Sequence, residues 1–342
     1  MKQIIVFFFL LITSRTYSQE GGNNTFEFLN LVPSARAAAL GGNAIATPVD
    51  DVSLVWQNPA LLSKAMNNQF QLSFTDYFDD ISFGQIGFAH EFSNFGSTAA
   101  TFHYINYGTF KRTDEAANDL GNFSAGEYAL DLSYAKALDS LFYLGAAIKG
   151  VYSNLDDFTS FGLLSDVSGL YLSKNKSFCA TIVARNMGRQ ITAYTEIGTE
   201  AVPFEMQAGF TKQLPKAPFR FGLTYQNLEK FDITYEDPNV PAIDPLTGET
   251  NDKSVKFLNK LIRHAILSTE VLFSKNFNVR IGYNFKRRAE MTIENKRGMV
   301  GLTAGFGIRI SKFHIDYARA VYHLEGASNQ FTVGFKLADF KK

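Results

Sequence analysis

The sequence predicts an all-β membrane protein: an antiparallel outer-membrane β-barrel of about fourteen strands, with a small N-terminal helical plug or hatch. Three observations carry this prediction. From about Phe70 onward, apolar and polar residues alternate in block after block. The connections between blocks alternate in length. Beyond the N-terminus, no apolar run approaches the roughly 20 residues that a spanning helix needs.

The alternation has period two, the period of a strand. Tyr128, Leu130, Leu132 and Tyr134 share one face, while Glu127, Asp131 and Ser133 share the other. Near the end, Phe331, Val333, Phe335 and Leu337 oppose Gln330, Thr332, Gly334 and Lys336. A strand with one apolar and one polar face suits a wall between lipid and a wet lumen, so Leu132 is expected to meet lipid and Ser133 the lumen. Fourteen blocks begin near Phe70, Ile81, Gly96, Glu127, Leu141, Phe161, Phe178, Phe204, Phe219, His264, Phe277, Met299, Phe313 and Asn329. Most are about 10 residues long, enough for a tilted strand to cross.

Connections after the even-numbered blocks are short, and those after the third and later odd-numbered blocks are expected to be longer. Tight turns at one end and loops at the other are the periplasmic and extracellular ends of an outer-membrane barrel. The longest expected loops are residues 107–126 and 228–262, the second ending in a mildly amphipathic stretch over 253–262. Residues 229–260 hold seven acids against four lysines, and 286–297 hold five bases against two acids. Long loops carry function more often than the scaffold does. Asp237, Asp244, Glu249, Asp252, Lys286, Arg287 and Arg288 are therefore the candidate partner-docking residues.

The N-terminus supports export. Lys2 precedes an apolar run from Ile4 to Ile12, and Thr16 and Ser18 suit a cut before Gln19. This is the pattern of a secretory signal peptide over residues 1–18. Residues 19–67 do not alternate and are expected to plug the lumen, with the barrel over 68–342. Ser34 is placed to cap a short Ala-rich helix, Ala35 to Leu40, that Gly41-Gly42 closes. Asn43 follows. Asp50-Asp51 is placed to cap a second short helix that Asn58-Pro59 stops.

Composition excludes some classes. There are 33 Phe and 15 Tyr among 342 residues, and the formal net charge is zero, which argues against nucleic acid as a partner. Cys179 is the lone cysteine, so no internal disulfide framework exists. The histidines, His90, His103, His264, His314 and His323, form no catalytic pattern. His314 and Asp316 share a lumen face, which reads as a hydrogen-bonded pair. No phosphate loop or clustered metal-ligand motif is present. The sequence therefore predicts no enzyme and no cofactor.

Residues 24–62 carry a resemblance. Asn-Thr-Phe-Glu-Phe-Leu-Asn-Leu, then Ser-Ala-Arg-Ala-Ala-Ala-Leu-Gly-Gly-Asn-Ala and Gln-Asn-Pro-Ala-Leu-Leu, resemble the start of the PorQ family, outer-membrane proteins of the type IX secretion system of Bacteroidota. The small-residue helix, the Gly-Gly-Asn-Ala, the paired Asp and the Asn-Pro-Ala are also similar to the hatch of FadL-type barrels, which have fourteen strands. The C-terminus departs from the expected terminal aromatic, ending Asp339-Phe340-Lys341-Lys342. The resemblance implies an anchor in the cell-surface attachment complex. Its partners would be a PorZ-like surface protein, a PorU-like sortase and a PorV-like barrel, in a membrane carrying lipopolysaccharide. The alternative is a FadL-type transporter of hydrophobic small molecules.

Overall fold

The computed structural model describes residues 24–340 except 94, 197, 235–255, 292–297 and 324–325. Among the described residues, fourteen antiparallel strands close into a barrel. They are β1 (Gln69–Asp76), β2 (Ser82–Phe92), β3 (Gly96–Thr113), β4 (Asp119–Ala137), β5 (Phe142–Leu155), β6 (Phe158–Leu172) and β7 (Phe178–Thr192). The circle continues with β8 (Glu205–Gln213), β9 (Phe219–Tyr225), β10 (Ala265–Val271), β11 (Phe277–Asn284), β12 (Leu302–Ile310), β13 (Phe313–His323) and β14 (Gly326–Lys336). Each strand pairs with its sequence neighbours. β1 closes the circle on β14, from Gln69↔Lys336 to Asp76↔Asn329. Closure leaves no sheet edge unpaired, which a structure in hydrocarbon requires. The protein is an integral outer-membrane barrel.

The alternation puts apolar side chains outward. Leu132 is 57% exposed and Leu130 49%, whereas Asp131 and Ser133 between them are buried. Exposed leucines and phenylalanines on a folded protein need another apolar phase, and here lipid supplies it. The lumen is not wet at this level. Residues from Phe28 to Met66 run through it as a chain of short turns and one helix, α1 (Ala35–Ala39), and are largely buried.

Three expectations are corrected. The expected loop 107–126 is mostly a hairpin, because β3 runs to Thr113 and β4 starts at Asp119. Period-two patterning reports a strand only where its two faces differ. Above the membrane both faces are wet, so the signal vanishes while the backbone pairing continues. The strict alternation of connection lengths also fails: β5 ends at Leu155 and β6 begins at Phe158. The loop end is long there because the strands themselves continue. The expected helical stretch near 253–262 appears as α2 (Phe257–Arg263), and Phe285–Glu290 forms a further helix, α3, where a loop was expected.

Candidate functional site

The lumenal segment is built from local caps. The Ser34 hydroxyl accepts from Ala37 N at 3.3 Å and sits 2.7 Å from the Ser53 hydroxyl. Gly41 and Gly42 have φ of +93° and +108°, and Gly42 N returns to Ala37 O at 2.9 Å. That is a left-handed helix stop, which glycine reaches without Cβ strain. A Cβ at Gly41 would also lie 2.4 Å from Ile266 Cγ2, so the closeness of the wall adds a second demand for glycine. The second expected helix is a single 3-10 turn, Val52–Leu54, whose first Asp51 oxygen accepts from Ser53 N at 3.0 Å. Asn58 does more than end it. Its oxygen caps the turn Pro59–Leu61 by accepting from Ala60 N, and its amide donates to Ile45 O at 2.7 Å and Thr181 Oγ1 at 3.0 Å.

Two kinds of contact fix this segment. Toward β2–β6 it is apolar: Phe26, Phe28, Leu29 and Trp56 pack with Phe83, Ile105, Val151 and Leu164. The Lys149 ammonium, ion-paired to Asp166 at 2.6 Å, lies 4.5 Å from the Trp56 ring centroid. Toward β9–β13 it is ionic. Arg36 Nε meets Asp51 Oδ2 at 2.8 Å, and its Nη1 meets Glu270 Oε1 at 2.6 Å. Glu270 also binds Arg220 at 2.6 Å and Arg280 at 3.0 Å, and Arg280 pairs with Asp316. Burial alone would push the Asp51 carboxyl up, but the Arg36 guanidinium outweighs it and holds it below the usual carboxylate range. Burial likewise opposes the charge of Arg36, while Glu270, Asp316 and Asp51 overcome it and raise its affinity for the proton.

His314 and Asp316 do share the lumen, at 3.5 Å. With Asp51 they bring three possible metal-donor atoms within 4.8 Å of one another. Both carboxylates are already bound by guanidiniums, which would repel a cation, so the residues fit an ion network better than a metal centre.

Above the segment, at the loop end, lies a cavity of about 940 Å³. Asn30, Gly42 and Asn43 contribute from the segment, and Gln226, Asn227 and Lys286 from the wall and its connections. Asn43 donates to Gln226 at 3.3 Å, and Lys286 Nζ donates to Asn227 Oδ1 at 3.3 Å. Burial pushes the Glu229 carboxyl up at this mouth. The Arg287 guanidinium lies close over the segment: a Cβ at Gly42 would come within 3.2 Å of its Nη2.

Of the docking candidates, Lys286, Arg287 and Arg288 stand on α3 at the mouth, and Arg288 donates to Gly298 O. Asp237, Asp244, Glu249 and Asp252 lie outside the described residues. Of the segment's candidates, Asp50 is exposed at the opposite end, where Ser63 donates to it at 3.2 Å. Ser34, Gly41, Gly42, Asp51, Asn58 and Pro59 are buried between segment and wall, and Asn43 half-buried. The sequence reading missed Arg36, Glu270, Arg280 and Lys149. Strand phase places the last three in the lumen, but pairing across strands is a tertiary fact.

A family model described as type IX secretion system protein PorV matches residues 17–211, more than half of the chain. The chain belongs to the PorV family. This PorV-family barrel is also similar to solved barrels. A TodX monoaromatic hydrocarbon channel deltaS2 mutant is 12% identical with a TM-score of 0.51, covering 89% of this chain and 98% of that one. The Pseudomonas putida toluene transporter TodX is 11% identical with a TM-score of 0.50, covering 94% and 98%. At such identity the likeness is one of fold. No curated protein sequence matches the chain. PorV-family membership makes it a type IX secretion outer-membrane protein, and both family and fold are those of secretion or transport barrels.

Proposed function

We propose that the chain is a PorQ-like anchor of the type IX attachment complex. It holds a PorZ-like surface protein that works beside a PorU-like sortase and a PorV-like barrel, and it performs no chemistry of its own. The observation that carries this reading is the occupied lumen. A barrel filled by residues 28–66, with both faces of the segment bonded to the wall, is suited to presenting a surface at its mouth. The N-terminal motif that resembles the PorQ family supports this branch, and the charged helix α3 supplies part of the mouth.

A tagged chain isolated from native outer membranes is expected to co-elute with a large surface protein and with the sortase. Replacing residues 237–252 by a short Gly-Ser turn should leave the barrel folded and release the partner. Reversing Lys286, Arg287 and Arg288 together should have a smaller, salt-sensitive effect, because exposed charges are individually weak. The rival reading is a transporter of hydrophobic small molecules: the cavity of about 940 Å³ has the volume for one, although most of its lining residues are polar. Recovery of a bound fatty acid or hydrocarbon, with no surface protein, would replace the anchor by that rival.

A further inference from the structure

The zero net charge conceals a separation of charge along the barrel axis. The five short connections after β4, β6, β8, β10 and β12, taken as residues 136–141, 173–177, 212–218, 272–276 and 309–312, carry eight bases against one acid, Asp139. The connections at the opposite end, residues 77–81, 107–126, 155–158, 189–205, 226–264, 286–297 and 323–326, carry 13 bases against 20 acids. The two ends differ as +7 and −7.

The bases at the turn end stand on five of its six turns; the turn after β2, residues 93–95, carries none. Lys136 stands at the end of β4, Lys174 and Lys176 follow β6, and Lys212 and Lys216 flank the β8 turn. Lys275 follows β10 and Lys312 follows β12. All seven are exposed, and among the described residues none has an acidic partner within 4.0 Å. Aromatic side chains stand next to them at the edge of the lipid-facing band, among them Phe142, Phe219, Phe273 and Phe313. Lys212 Nζ lies 5.9 Å from the Phe178 ring centroid and Lys312 Nζ 4.6 Å from that of Phe340. An aliphatic stem laid along an interfacial aromatic, with the ammonium carried outward, is how lysine reaches the headgroup layer.

We propose that this lysine ring binds the anionic phospholipid headgroups of the periplasmic leaflet. Its geometry chooses the partner. A protein docking on the turn end would meet one arc of the rim, whereas the leaflet meets the whole circumference, and the unpaired lysines occur on five of the six turns. The opposite end has an overall acid excess, and its basic cluster, Lys286, Arg287 and Arg288, sits on the single helix α3 rather than on successive turns. The segregation therefore distinguishes the two leaflets.

The test uses the full barrel, purified and equilibrated in mixed micelles of equal phosphatidylglycerol and phosphatidylethanolamine, followed by native mass spectrometry of the lipids retained. A lysine near an anionic surface contributes on the order of fivefold in affinity. Two engaged lysines thus predict more than about tenfold enrichment of phosphatidylglycerol, falling as salt rises. Lys136→Gln, Lys174→Gln, Lys176→Gln, Lys212→Gln, Lys216→Gln, Lys275→Gln and Lys312→Gln combined should bring the enrichment close to one. The seven Lys→Arg changes should keep it. Absence of enrichment in the unaltered barrel overturns the proposal even if the glutamine variant does not fold. Persistence of enrichment in a folded glutamine variant overturns it too. So does a salt-sensitive acidic periplasmic protein that co-purifies while lipid retention shows no preference.

Discussion

The two sides of the barrel solve the same task differently. The strands β3–β7 have 14 to 19 residues, well beyond the 9–11 that crossing requires. The strands β8–β12 have 7 to 9, and the described parts of the connections between them include helices α2 and α3. The inner faces differ as well. The tall side contributes Phe83, Ile105, Val151 and Leu164 to an apolar contact with the lumenal segment. The short side contributes Arg220, Glu270, Arg280 and Asp316 to an ionic one. An apolar contact is indifferent to pH and to pairing. An ionic contact in a low-dielectric lumen holds only while every partner is present. Notably, segment and wall are each balanced by themselves, Arg36 with Asp51 on one side and two arginines with two acids on the other.

The largest effects should come from breaking either contact at its centre. Trp56→Ala removes a fully buried indole and should cost about 3–5 kcal/mol. Arg36→Ala leaves buried Asp51 without its cation and removes one of the three guanidiniums around Glu270, and should cost a similar ~3–5 kcal/mol. Thermal unfolding followed by heat-modifiable gel migration measures both. The two should part on a second substitution: Arg36→Met with Asp51→Asn should recover part of the loss, and no charge change should rescue Trp56→Ala. Failure of that contrast would mean that the two contacts are not different in kind.

Next in size is the lipid-facing wall. Leu132→Arg should cost about 2–4 kcal/mol at the bilayer midplane. Ser133→Arg is also expected to be poorly tolerated, against the simple picture of a wet lumen. Ser133 is buried and donates to Asp131, and there is no water-filled space beside it to receive a guanidinium. Normal assembly of Ser133→Arg would show that the segment yields easily.

On the ionic side, acid should act through Asp51. Because Asp51 is held below its ordinary value in the folded protein, its stabilising ionisation is complete above the unfolded value, ordinarily 3.8, and is lost as pH falls through the folded value. Protease access to residues 43–56 in detergent-solubilised barrel should therefore rise in strong acid, with the wall still intact. Asp51→Asn should flatten that response. The smallest effect is expected on the tall side's protruding hairpin, where Arg112 reaches Asp156 and Asp157 across exposed surface. Arg112→Ala should leave the unfolding temperature unchanged within error, as exposed pairs do.

The sequence by itself determined the class of molecule, the number of strands and which residues face lipid. These follow from a local rule, because a strand between two unlike phases must alternate, and Leu130, Asp131, Leu132 and Ser133 declare their faces within four positions. It also determined two caps of the lumenal segment, since Ser34 and Asp51 act on backbone groups two or three residues away. Where the phases cease to differ, as in the hairpin above Asn106 and Gly126, the rule has nothing to report and the strand was read as loop. Only the tertiary structure decided how the charges pair. Arg36 and Glu270 are 234 positions apart, and each alone is an ordinary polar residue on a helix or an inward strand face. Closing the barrel around the segment brings them within 2.6 Å, in a space from which water is largely displaced.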